Sequence, residues 1–199
     1  MNTYPNAKKG LTYIWIAEIA TILSAILTSF ITSLDSSFTL SFSENIISIV
    51  AAVLIFIGCI YARQDSSKYT PAMVFAAFNV ILKGIDLGVH TAAYTAIADS
   101  LVSIFNILIF IFVVSATTVV LTNAGETRQA KKGKSILVLL IISEVLSIVL
   151  SVISVLSILN LNLALGLIVV IIAIAVTVLT IIASIRYLIF LIKSANLLA

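Results

Sequence analysis

The chain has 199 residues, 62% of them hydrophobic and only 10% charged, with a formal net charge of +3 and a mean hydropathy of +1.28. Such values exclude an ordinary soluble domain and put the chain in a lipid bilayer, where about 20 residues make one crossing and little is left for anything else. The small basic excess is explained by membrane topology and leaves no surface for nucleic acid, and the single cysteine, Cys59, excludes an intrachain disulfide and reads as apolar filler.

A polar arm, 1–10, carries Lys8 and Lys9 directly before a first apolar run at 11–34. That run exceeds the roughly 7–15 residues of a secretory signal and contains Glu18, so it reads as an uncleaved span that starts in the cytoplasm. Ala17, Thr21, Ala25 and Ser29 put a small residue at every fourth position, a helix-packing face suited to another membrane protein, a second copy or the bundle's own interior. Tyr13 and Trp15, one turn in, read as interfacial anchors.

A serine-rich loop follows at 35–45, where Ser41-x-x-Glu44 has capping-box spacing ahead of a second span at 46–62. The polar stretch RQDSSKY then leads to Thr70-Pro71, an N-cap and first-turn proline for a third span at 71–87. On that span Asn79, Lys83, Asp86 and His90 share one helical face. The fourth span, 96–121, carries Asp99 and Asn106 near its start, and the short connection makes the two helices a hairpin that brings these polar residues into one stripe. Asn123-Ala-Gly125 closes the fourth span, and the loop 122–134 is the most basic in the chain, with Arg128, Lys131, Lys132 and Lys134. The fifth and sixth spans, 135–159 and 163–192, are joined by a tight Asn160-Leu-Asn162 turn, and the last is long enough to tilt.

The expected architecture is therefore an all-α, polytopic transmembrane bundle of six spans in a single domain, 1–199. With the amino terminus inside, ten of the 11 basic residues fall on the cytoplasmic side and only Lys83 lies in the outer half. This segregation predicts a cell-membrane protein with both termini cytoplasmic.

KKGLTYIWIAE at 8–18 returns in altered form as KKGKSILVLLIISE at 131–144, and the offset that aligns Glu18 with Glu144 also aligns Tyr61 with Tyr187. The order of features predicts a weak parallel repeat, spans one and two against spans five and six. A carboxylate in the bilayer costs roughly 2.5 kcal/mol or more without a partner, so Glu18 and Glu144, with Arg63 and Arg186 at similar depths, are the candidate buried ionic cluster. In the alternative the arginines snorkel to lipid phosphates and the glutamates are protonated and bonded to nearby hydroxyls. Glycine-loop, nucleophile-elbow and zinc-protease motifs are missing, and His90 is the only histidine, so no enzyme, metal or cofactor is expected.

KKG-x-x-x-x-x-x-A-E in span one, Y-A-x-x-D-x-x-x-Y at 61–69, Thr117-Thr118 and R-Y-L-I-F-L-x-K-S at 186–194 together resemble a group of small, uncharacterised six-span membrane proteins of Gram-positive bacteria. The resemblance implies the fold and a bacterial plasma membrane and carries over no active residue. Six spans in a chain this short, with small residues every fourth position in the first, are also similar to the vitamin-capturing components of energy-coupling-factor transporters. Two functions follow as expectations: a subunit or regulator of a membrane complex, or a bundle that binds or transports a small molecule.

Overall fold

The computed structural model describes residues 3–34, 41–86, 92–159 and 163–198, and within helices some side chains lie outside the described set. Six α-helices follow in order, α1 (Pro5–Leu34), α2 (Ser41–Asp65), α3 (Thr70–Asp86), α4 (Ala92–Asn123), α5 (Thr127–Leu159) and α6 (Leu163–Leu197). A single 3-10 turn, Ser67–Tyr69, joins α2 to α3, and the described residues contain no strand. Every helix packs against its neighbours in the chain, and α6 returns to pack on α1, so the six close into a ring.

The outward and inward faces differ in the way lipid demands. Along α6, Ile171, Ile174, Val178, Ile181 and Ile185 recur at alternating three- and four-residue steps, each more than half exposed. Wetting such a stripe would cost about 25 cal/mol per Å² of apolar surface, whereas lipid covers it without that penalty. Segments Ile46–Asp65, Ser100–Asn123 and Val170–Leu197 are each long and apolar enough to cross a membrane. The inward face is rich in small residues, with Ala7, Ala17, Ala62, Ala72 and Ala116 all buried, and these let backbones approach closely.

The closest approach joins α1 to α2. A Cβ added to Gly58 would lie 2.6 Å from the Gly10 carbonyl oxygen, and one added to Gly10 would overlap the Gly58 carbonyl. At the other hairpin a Cβ on Gly133 would overlap the Thr118 hydroxyl and come within 2.8 Å of the Phe190 ring. Gly125, at φ 89°, takes the left-handed conformation that ends α4, in agreement with the Asn-Ala-Gly stop.

Two stretches expected to be irregular are helical. The arm 1–10 is already α1 from Pro5, because proline suits the first helical position and Asp65 caps the new terminus from across the hairpin. The loop 122–134 is helix from Thr127, where good helix formers meet the buried positions Gln129, Ala130 and Gly133. Hydropathy marks where lipid begins and not where the helix does, so both boundaries come early. Residues 35–40 and His90 lie outside the described residues.

Candidate functional site

Three levels of polar contact line the ring, beginning at the end that carries most of the basic residues. There the Asp65 carboxylate accepts from the Ala7 backbone N–H at 2.7 Å and the Asn6 side-chain amide at 2.9 Å, satisfying donors that the first turn of α1 leaves unpaired. Above this cap Tyr61 of α2 stacks on Tyr13 of α1 with centroids 5.7 Å apart, and the Lys9 ammonium sits 4.1 Å from the Tyr61 ring centre. Tyr69, fully buried, lies 2.8 Å from the Thr117 hydroxyl of α4. Thr117 donates its own proton to the Val113 carbonyl, so Tyr69 is the donor of the pair. Burial pushes the Tyr69 phenol well above its ordinary pKa, with the Thr117 hydrogen bond pulling part of the way back, and the group stays a neutral donor.

The middle level is where α1 and α6 meet. Glu18 is only partly covered as a residue, yet its Oε1 is sealed from solvent and has no hydrogen-bond partner among the described residues. The Tyr187 hydroxyl of α6 is in the same state. Tyr187 lies within electrostatic reach of Glu18, Cys59 and Tyr69, and its ring packs against Phe110 of α4 at 5.0 Å. The cation whose charge reaches Glu18 is Lys83 of α3.

The outer level holds the polar stripe. Asn79 donates to Asn106 at 2.6 Å, joining α3 to α4, and Lys83 donates to the Ser48 hydroxyl of α2 at 2.5 Å. A cavity of about 120 Å³ opens beside them, lined in part by Ser48, Lys83, Asp86 and Ala98.

The sequence-derived sites are distributed as follows. Of the stripe, Asn79 and Asn106 are bonded to each other and Lys83 and Asp86 line the cavity with Ser48, whereas His90 and the Asp99 side chain lie outside the described set. Of the ionic cluster, Glu18 is inside the ring, while Arg63 and Arg186 are exposed and form no ion pair with it. Arg63 sits beyond the apolar run of α2 with Nη1 3.7 Å from the Met73 sulfur, and Arg186 faces a cleft between α5 and α6. The Glu144 side chain is outside the described set. Of the packing face, Ala17 is fully buried, Thr21 is exposed and bonds back to the Ala17 carbonyl at 3.0 Å, and the Ala25 and Ser29 side chains are not described.

Sequence reasoning missed Asp65, the Tyr69–Thr117 bond and the Gly10–Gly58 contact, although each falls in or beside a quoted motif. Asp65 and Tyr69 are the D and the second Y of Y-A-x-x-D-x-x-x-Y, and Gly10 ends the first KKG. No family model, curated protein or solved structure matches this chain.

Proposed function

We propose that the chain is a non-enzymatic membrane protein of six spans with both termini in the cytoplasm, and that it binds or carries a small polar solute inside its ring. The ten-to-one segregation of basic residues supports the topology. The parallel repeat of the α1–α2 and α5–α6 hairpins is part of the same reading, supported by the recurring KKG and glutamate.

The observation that carries the ligand reading is the pair of buried groups, Glu18 Oε1 and the Tyr187 hydroxyl, on adjoining helices and without hydrogen-bond partners among the described residues. Buried donors and acceptors are nearly always paired, and an ionisable group at bilayer depth is by default a site of function. A carboxyl group, a phenol and the Phe110 ring suit a small solute with a protonated nitrogen, which would donate hydrogen bonds to the oxygens of the first two and make ring contact with the third. The alternative, a subunit or regulator that docks through the small-residue face of α1, draws less support, since Ala17 is occupied within the bundle itself.

The test is mass spectrometry of small molecules released from the purified protein and from Glu18→Gln. The expected result is a recurring amine-bearing solute with the wild type, strongly depleted in the variant. A recurring second membrane protein with no such solute would overturn this reading in favour of the subunit.

A further inference from the structure

At the cytoplasmic end of the α5–α6 hairpin lies a cleft of about 220 Å³ separate from the ring interior. Lys132 of α5 and Arg186 and Lys193 of α6 line it, with Gln129 and Ser135 as neutral polar groups and the buried Phe190 ring among the apolar part of its wall. Among the described residues no carboxylate lines the cleft, and Glu126, immediately before α5, is not part of its wall. We propose that this cleft binds the phosphate of an anionic phospholipid from the cytoplasmic leaflet.

Three independent features converge on that ligand. Like charges gathered on a concave surface repel one another until an anion joins them, and a guanidinium fork beside two ammonium groups matches the oxygens of a phosphodiester. The start of α5 sharpens the excess: a helix amino terminus carries partial positive charge, the first turn of α5 has no acidic residue, and Arg128, Lys131 and Lys132 add to the field.

The third feature separates a lipid from free phosphate, which shares the same chemistry. Ile189 lines the cleft and is 46% exposed, and from it the outward apolar surface continues through Ile185 and Ile182 on α6 and through Val138 and Ile142 on α5 toward the bilayer centre. A phosphate held at the cleft would have its acyl chains laid along this surface. The volume is below the roughly 300 Å³ at which pockets enclose a whole drug-sized molecule, as suits a headgroup whose tails remain outside. Basic pockets between spans on the cytoplasmic side are where anionic headgroups bind. The leaflet assignment rests on the six-span topology, but the phosphate site does not rest on any ligand at Glu18.

The experiment is thermal unfolding of the full chain in neutral detergent, titrated with phosphatidylglycerol, phosphatidylcholine or inorganic phosphate. Phosphatidylglycerol should raise the unfolding temperature saturably, while the other two should leave it nearly unchanged. In Arg186→Gln/Lys193→Gln the apparent affinity for phosphatidylglycerol should fall roughly thirtyfold, from the loss of two surface cations near an anionic headgroup. Arg63→Gln/Lys68→Gln, with the same loss of net charge elsewhere, should bind as the wild type does. Equal stabilisation by phosphatidylcholine or by inorganic phosphate would overturn the lipid assignment in the wild type alone, whatever the variants do. Equal weakening by the two double variants would reduce the effect to net charge and overturn the site. A Glu18→Gln protein that loses its solute but keeps its phosphatidylglycerol response would leave this inference standing.

Discussion

Gly10, Gly133 and Gly84 are the same residue under three different constraints, and together they give a graded test of how the helices are held. A side chain at Gly10 meets backbone, the Gly58 carbonyl and the Ala62 amide 2.7 Å away, which can move only if α1 and α2 separate. At Gly133 the obstacles are the Thr118 hydroxyl and the Phe190 ring, which can turn aside, and around Gly84 nothing lies within 4 Å. Gly10→Ala should therefore destabilise by about 1–3 kcal/mol, as overpacking of a close interface does, and Gly133→Ala by less. Gly84→Ala should stabilise by roughly 0.5–1 kcal/mol, because alanine removes backbone freedom inside α3 and touches nothing. Thermal unfolding in one detergent ranks the three variants; a Gly84→Ala loss as large as that of Gly10→Ala would show that propensity, not contact, sets the order.

Among the elements, α1 shows most clearly what could be read from sequence and what could not. Its apolar stretch, its glutamate and its small-residue spacing are properties of consecutive residues, and α1 forms where they stand. Its beginning is decided elsewhere, by an aspartate 58 positions away that completes the hydrogen bonding of Ala7. No local pattern announces such a cap, and for the same reason Tyr69 reads as a loop residue until Thr117 is beside it. Periodicity places Asn79 and Asn106 on faces that a short hairpin turns toward each other, and those two side chains are hydrogen-bonded. Matching depth says nothing about which way round its helix a residue points: Arg63 and Arg186 are both exposed, and the Glu144 side chain expected to pair with Arg186 lies outside the described set. Asp65→Ala should cost about 0.5–2 kcal/mol and expose the chain at Lys8 and Lys9 to trypsin under native conditions. Asp65→Asn, which retains an acceptor for the Ala7 N–H, should lie between that variant and the wild type. Unchanged cleavage in Asp65→Ala would mean that α1 holds its first turn without the cap.

For the whole molecule, the closed ring makes an even number of crossings the economical solution. Successive neighbours pack side by side and α6 returns to α1, and the proposed topology would gather ten of the 11 basic residues with the Asp65 cap at one end. An odd number would send one terminus and part of this basic set through the membrane, against the bias that sets orientation. The helices themselves are longer than a crossing needs: α5 and α6, at 33 and 35 residues, exceed the about 20 that span hydrocarbon. In the proposed topology part of this surplus would carry the exposed Lys132 and Lys193 to the headgroups. The arrangement predicts opposite accessibility for two serines, Ser37 in the connection after α1 and Ser66 in the turn after α2. Each would be replaced by cysteine in a Cys59→Ala background, which removes the one native thiol, itself fully buried. In intact cells a membrane-impermeant maleimide should label Ser37→Cys directly, and Ser66→Cys only after the membrane is opened. Labelling of both from the same side would break the alternation between α1 and α2, and with it the six-span topology and the cytoplasmic placement of the lipid cleft.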